Sequence, residues 1–386
     1  MPANRPEPVP GGSGYAEQDL TAGLSADVGR RSGNGRNPVG GALYAGPMSC
    51  LVCDLGAWTV FASRAPLSPV PKEEADIALS EADCSEAGAS RARRSPCLSS
   101  MTAFSRIHAG LPPRLPVPLH LATPSDRHRG RSRLLVGHRL PRLLPDNPLL
   151  LFDDVDGPLY TVSPALYLLM RAPLADDVNL ALAATVLCGT YVRHPDENGE
   201  ICYREDPLAT VGGLLADLEP CGGRRGHRRL KDLLPFCQER SASPMETALS
   251  LLMTAPKSLG GRGFPRALLN SKWVLTPDER FALDGQSTMR VDFLWPEAGF
   301  GIEYDSAKFH DSPEQQEKDA ARREVAEGRG IHLMTVTRAT VRDELKLDLL
   351  LEKAADRLGV GFDWNDRMLA ARRALRARVL CEHLFW

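Results

Sequence analysis

The sequence predicts an α/β (α+β) protein built on mixed sheets, and three observations lead there. From Ser241 to about Leu358 the elements read helix, three antiparallel strands, helix, strand, helix. Over residues 115–240, short strands and capped helices make a smaller mixed α+β unit. A hydrophobic fraction of 43% with 25% charged residues is that of an ordinary globular chain. At roughly 150 residues per domain, 386 residues hold about two domains and looser segments.

Residues 1–47 read as a disordered tail, because about a third are Gly or Pro and no period of 2 or 3.6 persists. Residues 48–114 read as a poorly defined segment or linker. Within it, Leu51 to Arg64 suits a strand and turn or a short helix, and the basic run Ala89 to Ser95 suits a solvated linker. Order is expected from about residue 115. Val117 to Ala122 and Arg133 to Leu140 look like strands around a basic loop. Leu149 to Val155 and Leu159 to Val162 make a hairpin turned at Asp156-Gly157. Ser163 caps a helix with Pro164 at its first position, and a second helix follows over Asp176 to Leu187. Two more are expected over 207–218 and 224–239, the latter opening on the basic run Arg224, Arg225, Arg228, Arg229 and Lys231. Such a run is usually a wet face; its functional reading is phosphate binding.

Ser241 to Met253 carries the clearest helix start. Ser243 is the N-cap, Pro244 follows it, and Glu246 stands three residues on as a capping box. After this helix come strands at Lys272–Thr276, Met289–Trp295 and Phe300–Ser306, with a tight turn at Pro296–Gly299. A helix from about Pro313 to Gly328 and a strand at Ile331–Val336 follow. Thr337 caps a further helix, and residues 361–386 read as a C-terminal helix.

Acids inside these strands need a reason, since Asp and Glu are depleted from strand interiors and burying a carboxylate is costly unless it is paired or metal-bound. Asp292 lies between Val291 and Phe293, while Glu303 and Asp305 flank Tyr304. Period-2 alternation puts Glu303 and Asp305 on one face, and the tight turn brings Asp292 opposite them. Three carboxylates so gathered offer hard oxygens to Mg²⁺, with Mn²⁺ as a substitute. The bland reading is a wet strand carrying ordinary acids.

The helix with Glu246, then RVDFLWPEAGFGIEYDS, His310, KDAARR and GIHLMTVT, resembles the PD-(D/E)XK nucleases, and most closely their very-short-patch-repair-like branch. The resemblance covers about 241–360 and implies a restriction-endonuclease-like αβββαβ domain and Mg²⁺-dependent hydrolysis of DNA phosphodiesters. By it, Asp292 and Glu303 bind the metal, Asp305 lies in or beside that site, and Glu246 supports it. His310 assists the water or leaving group. Arg322, Arg323 and the basic run at 224–231 would contact DNA phosphates. One departure is that Asp305 stands where the simplest family pattern has Lys; the very-short-patch-repair branch lacks that Lys as well. Residues 115–240 resemble the middle of AbiEi-type abortive-infection antitoxin-like regulators. The alternative that follows is a non-catalytic DNA-binding or partner-binding regulator of a defence or toxin–antitoxin locus.

Other classes find little support. No stretch nears the roughly 18 apolar residues of a membrane span, and a net charge of −2 leaves nucleic-acid binding to local patches. Nine cysteines, with no signal peptide visible, suit reduced thiols in a cytoplasm. Cys50-Leu-Val-Cys53 has zinc-ligand spacing, but no second pair stands at finger distance. Gly260 to Pro265 reads as a loop, not a phosphate cradle.

Overall fold

The computed structural model describes residues 50–63, 65–82, 84–99, 118–124, 132, 135–153, 158–193, 201–305, 313–361 and 365–380. The expected tail, the basic loop at 125–131, the Asp156-Gly157 turn and His310 lie outside them. The fold is α/β with mixed sheets, as the alternation of elements predicts.

The first sheet has six strands: β1 (Cys50–Val52), β2 (Ser68–Pro69), β3 (Leu119–Thr123), β4 (Leu135–Arg139), β5 (Leu149–Asp153) and β6 (Leu159–Val162), in the order β2-β5-β6-β1-β3-β4. β5 and β6 form the expected antiparallel pair. β3 and β4 are parallel, with His120 beside Val136 and Ala122 beside His138 in register. β1 lies inside the sheet, parallel to β6 and antiparallel to β3.

That position corrects the reading of 48–114 as a linker. β1 is three residues long and buried throughout, too short to show a period. Helix α1 (Asp54–Ala62) is buried from Gly56 onward, so it carries no polar face for a periodicity search to find. A Cβ on Gly56 would meet Val52 Cγ1 at 2.5 Å, which lets α1 fold back directly on β1. Helices at Lys72–Ser80 (α2), Glu86–Ala92 (α3) and Pro96–Ser99 (α4) follow among the described residues of the segment. The basic run straddles the end of α3: Arg91 lies on the helix, buried, and donates to the Pro158 carbonyl at 3.4 Å, while Arg93 and Arg94 follow it.

Helix α5 (Pro164–Arg171) starts as expected, with Ser163 Oγ accepting from Leu166 N, and α6 (Asp177–Leu187) is capped by Asp176. A two-stranded ribbon, β7 (Tyr191–Arg193) and β8 (Ile201–Tyr203), follows. The next two helices are shorter than expected: α7 spans Val211–Leu218 and α8 spans His227–Leu233. Pro220, Gly222 and Gly223 end the first, and Gly226, at φ 91°, opens the second. Arg224 and Arg225 therefore precede α8 rather than lie on it.

The second sheet has β9 (Leu268–Val274), β10 (Thr288–Trp295), β11 (Phe300–Asp305) and β12 (His332–Thr337), in the order β12-β11-β10-β9. The first three are antiparallel and β12 runs parallel to β11. Helix α9 (Pro244–Thr254) precedes them, α10 (Pro277–Ala282) fills the β9–β10 link, and α11 (Pro313–Gly328) joins β11 to β12. Three helices close the chain: α12 (Arg338–Arg342), α13 (Glu344–Leu358) and α14 (Asp366–Val379). The loop after α9 is packing rather than a cradle, since a Cβ on Gly260 would strike the Ala371 carbonyl oxygen of α14 at 2.3 Å.

One apolar cluster runs across residue 240: Leu51, Leu166 and Leu187 share it with Leu249, Phe293 and Leu351. Among the described residues no helix is long and apolar enough to cross a membrane, and the described cysteines are thiols.

Candidate functional site

β10 and β11 bring two of the predicted acids together. Phe293 pairs with Ile302, so Asp292 lies across from Glu303 one step along. Asp292 Oδ2 accepts the Tyr304 amide at 2.8 Å. Burial, with the Glu246 charge adding to it, pushes the Asp292 carboxyl up to about 6, against the Tyr304 amide and Arg322. Burial likewise raises Glu303, with Arg322 opposing and Asp292 reinforcing. The two acids sense one another because each half-buried carboxylate loses water that would screen it.

Arg322 is the resident counter-charge. Its guanidinium holds the Glu303 carboxylate, and Nη2 also donates to the Arg290 carbonyl at 2.7 Å. α11 returns across the sheet and lays Arg322, expected to contact phosphate, over Glu303. Arg323 is exposed, with Nε on the Asp319 carbonyl at 3.1 Å.

Glu246 keeps its capping role. Ser243 Oγ accepts the Glu246 amide and donates to Oε1 at 2.8 Å, while Oε2 accepts from Ala242 N at 2.8 Å and Asn270 Nδ2 at 2.7 Å. Both carboxylate oxygens are thus engaged, and Glu246 reaches Asp292 through its charge. Asp305 is half-buried on the Glu303 face, beside Thr337. The expected three-acid convergence is not found: the one trio of described ligand atoms lying within 4.8 Å of each other is elsewhere. Two residues along a strand span roughly 6.6 Å, so Glu303 and Asp305 share a face without sharing a point.

The basic run divides in two. Arg229 has a structural role: it pairs with Asp177 and donates Nη1 to the Ala172 and Ala175 carbonyls, each at 2.7 Å. Its position over the α5–α6 turn makes it a C-terminal cap. Lys231 pairs with Glu219 at 2.8 Å, and Arg228 stays exposed 4.0 Å from Asp232. Arg224 and Arg225 line a cavity of about 360 Å³ with Asp54, His138, Arg139 and Arg171.

That cavity borders the trio which the sequence reading missed: Asp54, His120 and His138. His120 Nδ1 lies 3.0 Å from Asp54 Oδ2 and 2.8 Å from His138 Nε2, and the latter is 4.0 Å from Asp54 Oδ2. Arg171 Nη1 holds the other Asp54 oxygen at 2.9 Å. Asp54 opens α1 at φ 49°, and the Cys53 amide ties that corner to the His120 carbonyl at 2.9 Å. The available signal was a histidine inside each of two apolar strands, the same anomaly as acids in β10 and β11. A set of residues able to hold a metal ion is therefore present, made of imidazoles and one carboxylate rather than three acids.

No family model matches the chain, and no solved structure does. It is similar to two proteins of Mycobacterium tuberculosis, from strains CDC 1551 / Oshkosh and ATCC 25618 / H37Rv, each named only as uncharacterized. Each is 30% identical over 102 residues, which is 26% of this chain and 32% of the relative. The match thus spans about a third of the relatives' length.

Proposed function

We propose that this chain is a divalent-metal-dependent endonuclease that hydrolyses DNA phosphodiesters at the β10–β11 acids. The observation that carries the reading is Asp292 facing Glu303 across adjacent antiparallel strands, both carboxyls raised by burial and balanced by one cation, Arg322. A strand pair holding two such acids for packing alone works against its own stability; a pair kept for a cation does not.

The residues fit Mg²⁺ or Mn²⁺ in chemistry. Asp292 Oδ1 and the Glu303 carboxylate are hard oxygens, and Arg322 already marks where positive charge is favourable. When bound, the ion supplies Lewis-acid polarisation of the phosphodiester and an acidified water. Asp292 is oriented by the Tyr304 amide, and Glu246 holds the end of α9 against β9 through Asn270. Arg322, released from Glu303, would take a substrate phosphate oxygen. Arg323 and the exposed Arg228 add backbone contacts that position DNA without reading its sequence. Asp305 borders the site, and His310, five residues further on, is the proposed proton donor or acceptor. The proposed place of action is the cytoplasm, which the free thiols of the described cysteines suit.

One feature favours a second reading. Arg322 sealing Glu303, with Asp305 at the position where the simplest pattern has Lys, suits a DNA-binding or partner-binding regulator of a defence locus built on the same fold.

Nicking of supercoiled plasmid separates the two. Wild type is expected to nick with Mg²⁺ or Mn²⁺ and not in chelator. Asp292→Ala should slow nicking at least about 100-fold, equivalent to about 2.7 kcal/mol of transition-state stabilisation. Equal rates for wild type and variant, with DNA retained by both, would favour the regulator.

A further inference from the structure

The contacts among Asp54, His120 and His138 cannot all be good hydrogen bonds. His120 Nδ1 faces Asp54 Oδ2 at 3.0 Å and His138 Nε2 at 2.8 Å. If Nδ1 carries a proton, that hydrogen must be shared between two acceptors lying nearly at a right angle, and neither bond is straight. If Nδ1 is bare, its lone pair points at a carboxylate oxygen, which is repulsive. Arg171 Nη1 holds the other Asp54 oxygen at 2.9 Å and fixes the carboxylate there. The two imidazoles meet close to end-on, with 4.8 Å between centroids, 23° between planes and the facing nitrogens 2.8 Å apart. A proton satisfies one of these contacts; a cation at the centre satisfies all three.

We propose that Asp54 Oδ2, His120 Nδ1 and His138 Nε2 form a three-ligand site for a divalent transition ion of the zinc class, with its fourth position open to the neighbouring cavity. The separations of 3.0, 2.8 and 4.0 Å bracket the ligand-to-ligand edge of about 3.4 Å that tetrahedral bonds near 2.1 Å require. Two imidazoles and one carboxylate select zinc-class ions over Mg²⁺, which prefers all-oxygen sites. The surroundings are those of a ligand set. Arg171 fixes the second Asp54 oxygen, the orienting contact that metal carboxylates usually have. Main-chain bonding of Cys53 to His120 and the parallel β3–β4 register hold the donors on rigid strands.

The cavity sets what reaches the open position. Asp54 and His138 line it together with Arg139, Arg171, Arg224 and Arg225. Four guanidiniums around one open coordination position favour an anionic occupant such as hydroxide or a phosphate oxygen, and that anion offsets their repulsion of the ion. This site is separate from the β10–β11 acids and does not depend on the nuclease reading.

The test uses the full chain after treatment with a chelator, titrated with Zn²⁺ by calorimetry and with Co²⁺ by visible absorbance. Wild type should bind one equivalent, with a cobalt band in the visible range. His138→Gln should weaken binding by more than the 10–100-fold typical of outer-sphere changes, and Arg171→Gln by about that amount. Asp292→Ala/Glu303→Ala should leave zinc affinity within about 3-fold of wild type. Melting of His138→Gln in chelator, equal to that of wild type, shows that the loss is of ligation and not of folding. The proposal is overturned if wild type has no saturable site tighter than about 100 μM. It is also overturned if His138→Gln binds like wild type, or if binding disappears with the β10–β11 acids.

Discussion

Replacing Asp348 with alanine is expected to lower folding stability by about 3–5 kcal/mol, as removal of one partner from a buried ion pair does. Asp348, on α13, accepts Arg262 Nη2 at 2.6 Å on one oxygen and Arg372 Nη2 at 2.7 Å on the other. The Arg262 side chain is 3% exposed, and those of Asp348 and Arg372 are 14% and 15% exposed. Taking the carboxylate away leaves two guanidiniums close together in a poorly solvated place, repelling each other. The same acid joins the loop after α9, α13 and α14, so the loss should spread to the helix that carries Glu246. Urea unfolding measures it, with a lower midpoint and an unchanged slope. The pair Arg228–Asp232 is the contrast: its side chains are 96% and 75% exposed, so breaking it should shift stability by no more than about 0.5 kcal/mol. A loss below about 1 kcal/mol for Asp348→Ala would show that water reaches the cluster and screens it.

Asp292→Asn should make the protein more stable at pH 8 while abolishing metal-dependent nicking. Burial, aided by Glu246, raises the Asp292 carboxyl from its ordinary 3.8 to about 6. An acid raised in this way binds its proton more tightly in the folded state than in the unfolded one. Its stability cost is therefore absent below about pH 4, grows as pH rises to about 6, and is complete above that. Two pH units correspond to about 3 kcal/mol, and partial exposure reduces this to about 1–2 kcal/mol. Asparagine keeps an oxygen for the Tyr304 amide and carries no charge, so it removes the cost. Unfolding of both forms in chelator from pH 4 to pH 8 should give curves that converge at the acid end. A variant less stable at pH 8, or a gain independent of pH, would mean that Asp292 is adequately solvated.

Much of the C-terminal unit is legible in the sequence because its signals are local. Ser243, Ser163 and Thr337 each accept a hydrogen bond at the helix start their type implies. Asp292 and Glu303 are legible as facing residues because a four-residue turn fixes the register of β10 and β11. Arg322 was harder to place. Its meeting with Glu303 depends on how α11 returns over the sheet, a packing decision 19 residues away in sequence. β1 and α1 were illegible for the opposite reason, since elements apolar on all sides have no period to detect. The Asp54, His120 and His138 cluster draws on three separate segments, and the parallel pairing of β3 with β4 that aligns its histidines leaves no trace in either strand alone.

Calorimetric titration of the full chain with Mn²⁺ tests most directly whether Asp292 and Glu303 form a cation site. One Mn²⁺ should bind to wild type and to His138→Gln, and that binding should vanish in Asp292→Ala/Glu303→Ala while the variant still unfolds cooperatively. Folded wild type that takes up no Mn²⁺, or a double variant that binds it unchanged, would contradict the paired-carboxylate site.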